Sequence, residues 1–313
     1  MTLRSSFKSF VSGRVYLPGR AAAYLAVLVA LLALVPAGCS ARVDAGPRPN
    51  IAEGKKIRET LEKTPGGEAA PAEEESASSS APTGWATLSG TFKFDGVAPQ
   101  PASIVANKDP EVCGKHPLFD ESITVGPNGG LANAAIWVRT PKVPVNPKYD
   151  DAKHDIVLDN KDCRFEPHVL AMTTKDTLVI KNSDPVGHNS KLDPSKNAAF
   201  NSSIPAGQSV DDHLTAEEAA PFKVGCSIHP WMGGYILVRA DPYAAVSDKE
   251  GKFTLSDLPA GKELEFQLWQ EKVGNLKSVE VEGANFKVDG KGRFKLKLEP
   301  GENKEISFKV SLK

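Results

Sequence analysis

The sequence predicts an all-β protein built as two sandwiches, and three features carry that prediction. Beyond residue 85, short segments alternate apolar and polar residues, so each would bury one face and wet the other. Turn-forming residues are abundant, 24 Pro and 26 Gly in 313, and they cluster between those segments. No convincing amphipathic helix longer than about two turns can be traced in the same region.

Taken in order, the chain opens with a segment that is not part of the fold. Arg4, Lys8, Arg14 and Arg20 form a basic leader, Ala21 to Val35 is an uninterrupted apolar run of fifteen residues, and Pro36-Ala37-Gly38-Cys39 follows. That order is a secretory signal over residues 1–38, and the run is shorter than the roughly 20 residues a spanning helix needs. The Gly-Cys ending resembles a bacterial lipoprotein signal, which implies acylation of Cys39 and a membrane tether on the periplasmic face of the envelope. Pro36 departs from that pattern, which prefers Leu there; an ordinary cleaved signal would leave Cys39 a plain thiol.

Residues 39–84 read as a disordered tether. Ala70 to Gly84 (APAEEESASSSAPTG) lacks large apolar residues and cannot bury enough surface to repay its ordering entropy. As a flexible coil the tether would span about 35–40 Å.

The alternating segments then begin. Leu88, Phe92 and Phe94 share one face of the first. Leu131–Val138 and Tyr235–Val238 are more continuously apolar, as strands buried on both faces are. After Ala240 come Phe253/Leu255, Leu264/Phe266/Leu268, Phe294/Leu296/Leu298 and Ile306/Phe308/Val310/Leu312. The expected organisation is one sandwich over 85–240 and a second over 241–313, divided near Asp241-Pro242, with one continuous β unit as the alternative. Charge is balanced, 38 basic against 39 acidic residues, so no nucleic-acid partner is indicated.

Four cysteines occur: Cys39, Cys113, Cys163 and Cys226. With Cys39 lipidated, the simplest partition is a Cys113–Cys163 disulfide, expected in an oxidising compartment, with Cys226 held apart. A pairing that uses Cys226 is the rival, and the surroundings of Cys226 argue against it. Cys226, His229 and Met232 are spaced C-x2-H-x2-M at a strand end, and His188 lies 38 residues before Cys226 in an N-x5-H-N stretch from Asn182 to Asn189. Phe222, Val224 and Cys226 share a strand face, so the thiol should point inward. Gly225 and Gly233-Gly234 bracket the loop where tight turning or close approach is expected. Two imidazoles, one thiolate and a weak thioether form the ligand set of a single type 1 copper, because they accommodate both Cu(I) and Cu(II) with little rearrangement.

This pattern, with Phe165-x-Pro167 before it, resembles the cupredoxin family, and the short ligand loop is most similar to that of amicyanins. The resemblance covers roughly 155–240 and implies a Greek-key sandwich and one-electron transfer. It gives Asn189 the role of bracing the ligand loop near the thiolate. The whole chain resembles exported proteins of the methylamine-utilisation-like kind. Electrons are expected to pass through an exposed edge of His229 or through the Cys226 thiolate, with Pro230 and Trp231 as an apolar rim where a redox donor or acceptor docks. His168 reads as a structural or partly exposed histidine, with a role near the metal as the lesser alternative, and His116, His154 and His213 read as surface residues.

The D-x-x-G-x-F…L-P-x-G pattern over Asp248–Gly261 resembles transthyretin-like, carboxypeptidase-regulatory and carbohydrate-binding-like sandwiches, which implies fold but little function. Trp269 is the one candidate platform for a polysaccharide. Motifs for haem attachment, zinc hydrolysis, a serine nucleophile and phosphate binding are absent from the sequence, so no enzyme active site is visible. A copper electron carrier is therefore the first reading. A non-redox exported module, binding polysaccharide or delivering copper, is the alternative.

Overall fold

The computed structural model describes residues 81–312. The segments expected to be an export signal and a tether, with Cys39 between them, lie outside the described residues up to residue 80. Within them the chain is all-β: the only helical elements among the described residues are Pro110–Cys113 and a short turn at Pro147–Tyr149.

Four principal sheets make two sandwiches. In the first, one sheet runs in the order Phe200–Ile204, His188–Leu192, Phe222–Gly225, Gly233–Arg239, Val169–Thr173. Its partner sheet runs Ser209–Asp212, Thr177–Asn182, Asp155–Lys161, Arg164–Glu166. Their inner faces close over Leu158, Leu178, Ile180, Leu192, Phe222, Val224 and Ile236, the same core that buries Cys226 and Met232.

The second sandwich combines strands from both ends of the described region. Trp85–Phe94 lies antiparallel to Lys252–Pro259 and parallel to Asn303–Val310, with Val279–Glu282 at the edge. The facing sheet joins Ala135–Val138 to Ala244–Val246 and Glu263–Gln270, and Arg293–Lys297 also pairs with the last of these. The strand pairing therefore crosses the boundary expected at Asp241-Pro242, and residues 81–312 fall within one compact unit. The reason is physical. Alternation reports that one face of Trp85–Phe94 is buried, yet it carries no information about which strand supplies its hydrogen bonds.

The two sandwiches meet back to back. Ala135, Trp137, Val169, Leu237 and Trp269 form a separate apolar cluster between the sheet of Val169–Thr173 and Gly233–Arg239 and the sheet of Ala135–Val138. This double burial explains the continuously apolar Tyr235–Val238 run, in which Ile236, Leu237 and Val238 are all fully buried. It also removes the candidate sugar platform, because Trp269 is buried there against Tyr235 with ring centroids 5.1 Å apart.

One segment belongs to neither sandwich. Ser103–Ile104 pairs only with Leu118–Phe119, and the Pro110–Cys113 helix lies between them. The Cys113–Cys163 disulfide ties this segment to the first sandwich, as the cysteine partition anticipated. Both cysteines are fully buried, with a sequence separation of 50. Closing a loop of that size removes about 4 kcal/mol of chain entropy from the unfolded state.

Candidate metal centre

Two neighbouring strands set the site. His188 begins the His188–Leu192 strand, and Cys226 follows directly on Phe222–Gly225, which pairs with it through Val224–Leu192 and Gly225–Lys191. The loop after Cys226 closes on itself: the Met232 amide donates to the His229 carbonyl at 2.9 Å, and the Cys226 amide donates to the Met232 carbonyl at 3.4 Å. That closure returns His229 to the thiol. Of the bracketing glycines, Gly234 is the one that packing demands, since a Cβ there would meet the His168 carbonyl oxygen at 2.7 Å. Around Gly225 and Gly233 a Cβ would make only ordinary contacts.

The structure brings together His188, Cys226 and His229, with one ligand atom from each lying within 4.8 Å of the others. All three are buried, both imidazoles completely, and Met232 is buried beside them. Cys226 is the one free cysteine among the described residues. Its sulfur accepts the amide of Asn189 at 3.3 Å and that of His229 at 3.4 Å, and it lies 3.8 Å from His229 Nδ1. The Asn189 side chain accepts the Ser227 amide at 3.1 Å and donates to Asn201 Oδ1 and the Ser202 carbonyl, holding the ligand loop against the neighbouring strand. Upstream, Asn182 shapes the turn into His188 by donating to the Val186 and Ile204 carbonyls, both at 2.8 Å.

Two carboxylates complete the arrangement, and sequence reasoning missed both. Asp184 Oδ2 lies 2.8 Å from His188 Nε2, and Asp109 Oδ2 lies 2.7 Å from His229 Nε2. With Nε2 of each ring engaged, both imidazoles keep Nδ1 for the shared centre. Such carboxylate partners fix ring orientation and raise ligand basicity. Asp184 was legible, because it stands four residues before His188 inside the same stretch. Asp109 carried no signal, since it lies 120 residues from His229 in a segment with no motif.

The electrostatics favour a charged pair. Burial opposes ionisation of Cys226, but the attraction of His188 and the Asn189, His229 and Ile228 amides outweigh it and draw the thiol down to about 6. Burial likewise opposes a charge on His188, yet Asp184 and the Cys226 sulfur outweigh it and raise the imidazole to about 9. Asp184 is held below the usual carboxylate range: burial acts against this, and hydrogen bonds from His188 and from the Cys163 and Asp162 amides prevail.

A soft metal fits these residues. His188 Nδ1 is buried without a hydrogen-bond partner, and an unmet polar atom of that kind costs about 1–3 kcal/mol. The donor set answers that cost: one thiolate and two imidazole nitrogens converge, with a thioether residue buried alongside.

Other expectations are placed differently. The edge of His229 is not exposed: the ring is fully buried and Asp109 covers its outer nitrogen. Pro230 is exposed as a rim residue would be, but Trp231 is half-buried, its ring 5.2 Å from that of His229 and its indole N–H donated to the Cys163 carbonyl at 3.1 Å. His168 is removed from the ligand set by its own partners, bonding Glu271 through Nε2 and lying 3.8 Å from Glu121 through Nδ1. His154 and His213 are at the surface, whereas His116 is half-buried 3.5 Å from Asp162.

Solved structures with partial likeness are copper proteins by their descriptions. A Cu(I) form of an amicyanin variant is 24% identical, covering 34% of this chain and 99% of its own, at a TM-score of 0.25. A purple cupredoxin from Nitrosopumilus maritimus is 26% identical, covering 28% of this chain and 99% of its own, at a TM-score of 0.23. A Cu-containing nitrite reductase from Thermus scotoductus SA-01 is 22% identical over 27% of this chain, at a TM-score of 0.25, and the matched part spans 22% of the reductase. At such TM-scores none of these bears on the chemistry, which rests on the residues above. No protein-family model matches the chain, and the search of curated proteins finds no match.

Proposed function

We propose that this chain is an exported, membrane-tethered carrier of single electrons, with one type 1 copper held by His188, Cys226, His229 and Met232. The observation that carries the reading is the convergence of Cys226, His188 and His229 in a buried site, each imidazole anchored through its far nitrogen to a carboxylate. Bound there, copper would supply a one-electron couple. The chain's own residues do the rest. Cys226 is already inclined to the thiolate that a soft metal needs, and His188 yields its Nδ1 proton on binding. Asp184, Asp109 and Asn189 hold the donors in place, so the geometry is set by the protein. Four protein ligands leave no open position for a substrate, which favours transfer over catalysis. Export and tethering are supported by the leader ending at Cys39 and by a disulfide suited to an oxidising compartment.

Addition of Cu(II) to the purified chain should produce an intense visible thiolate-to-copper band and an EPR signal. Cys226→Ala and His188→Ala should each abolish the band. A chain that stays colourless and EPR-silent after loading would overturn the assignment.

A further inference from the structure

We propose that Ser103–Phe119 is a clasped cover over His229, and that its Asp109 is a positioning residue holding the imidazole for the metal while closing it off from solvent. This rests on the copper reading above and concerns how the centre is reached.

His229 is closed on one side by Trp231 of its own loop, with ring centroids 5.2 Å apart, but its Nε2 edge is covered from elsewhere in the chain. Ile228 and Pro230, on either side, are both exposed, while His229 itself is fully buried. The atom over that edge is Asp109 Oδ2, at 2.7 Å from Nε2. The Asp109 side chain is 39% exposed, so the carboxylate forms the link between the imidazole and the surface. An electron or a metal ion entering on this side meets Asp109 first.

Asp109 also departs from what its local position dictates. It is the N-cap of the Pro110–Cys113 helix, where an aspartate ordinarily accepts amides from its own first turn. Here the side chain makes no capping bond; it is directed to His229. The residue is left-handed as well, with φ 45° and ψ 49°, a conformation uncommon for a residue other than glycine. A diverted cap on a strained backbone fits a residue held for its contact with His229.

The segment is attached at few points. It shares no ladder with any of the four principal sheets, and it packs through Ile104, Ala106, Val112, Cys113 and Leu118 against Cys163 and Trp231. The disulfide to Cys163 is the covalent clasp, and Cys163 in turn donates its amide to Asp184, the partner of His188. Cutting the clasp should therefore free the cover at the side of His229.

The test uses the metal-free chain first, with iodoacetamide as probe and peptide mapping to isolate the Cys226 adduct. Asp109→Ala should raise Cys226 alkylation about tenfold, the factor given by loss of one net hydrogen bond. Asp109→Asn, which keeps an acceptor for Nε2–H, should restore a rate close to the parent's. A dithiol reductant should also accelerate alkylation: it passes two electrons and two protons to Cys113–Cys163, which opens to two thiols as the dithiol closes to its own disulfide. In the copper-loaded chain, capture of Cu(I) by a water-soluble chelator should follow the same order of rates. Equal Cys226 alkylation in the parent, Asp109→Ala and reduced chains would overturn the cover. So would a fall in melting temperature large enough to account for the faster rates by global unfolding. Failure of the copper assignment shows separately, as a colourless loaded chain, because the alkylation arm needs no metal.

Discussion

The two sandwiches of this protein both have apolar cores, but they differ in what is added to them. In the second, rings dominate: Phe92, Phe253, Phe266, Phe286, Phe294 and Phe308 pack with successive centroids 4.5–5.9 Å apart. In the first, the interior holds Asn160, Asn182, Asp184, His188, Asn189, Ser190, Glu218 and His229, all buried. Apolar packing is non-directional and tolerant of detail, whereas buried polar groups must each find a partner or cost the fold. The contrast shows where each kind of interaction is used. Rings pack the second sandwich, and directional bonds orient the buried imidazoles and thiol of the first. The shared apolar cluster around Trp137 and Leu237 lets the first lean on the second.

The largest test of this contrast is Phe308→Ala. Phe308 is fully buried within the ring cluster, and its truncation should cost about 3–5 kcal/mol. Because residues 81–312 lie in one compact unit, the melting temperature should fall equally by tryptophan fluorescence and by far-ultraviolet dichroism. Two separate transitions would show that the sandwiches unfold independently and would break the comparison.

Next comes Glu218, fully buried and accepting from Ser195, Lys196 and Asn197. Glu218→Gln should cost about 1.5–3 kcal/mol near pH 7 in urea unfolding. The glutamate carboxyl is lowered in the fold: burial works against this, and its hydrogen bonds prevail. Its contribution is therefore present above the unfolded carboxylate range and lost as pH falls through the folded value, so the deficit should narrow in acid. A deficit independent of pH would assign the effect to shape.

Asp241 should behave in the opposite sense. Burial raises it to about 6, against a hydrogen bond donated by the Tyr243 amide and the charge of Arg239. A raised carboxyl contributes stability fully below its unfolded value and loses it as pH rises through about 6. Asp241→Asn should accordingly stabilise the chain by about 1–2 kcal/mol at pH 8 and by nothing near pH 4. The same denaturation series in urea checks both ends, and a mutant weaker than the parent at pH 8 would contradict the sign.

The smallest effect is expected at Asn189. Asn189→Ala removes the bond to the Ser227 amide and two to the Asn201–Ser202 strand. These bonds are part-buried and water can replace them, so the loss should cost only about 1 kcal/mol while broadening the visible band of the copper-loaded chain. A sharp, unshifted band would mean that the ligand loop holds its shape without this brace.

Much of this was readable in one dimension. The alternation of Leu88, Phe92 and Phe94, or of Ile306, Phe308 and Val310, marks buried faces wherever the strands finally lie. His188, Cys226, His229 and Met232 were legible because their types are rare and their spacing is short. Other features were not. Trp85–Phe94 was assigned to the first sandwich, yet it pairs in parallel with Asn303–Val310 more than two hundred residues later. A long-range parallel ladder leaves no local trace, since neither strand's pattern names the other.

By itself, then, the sequence determined the all-β character and singled out Cys113, Cys163 and the four proposed donors, because those follow from residue type, number and local spacing. Only the tertiary structure decided the environment of those donors. It closed His229 with Asp109, paired His188 with Asp184, and buried Trp269 between the sandwiches. A carboxylate lends its charge to whatever lies within a few ångströms, and chain folding sets that distance: Asp184 is four residues from its histidine, Asp109 is 120 from its own.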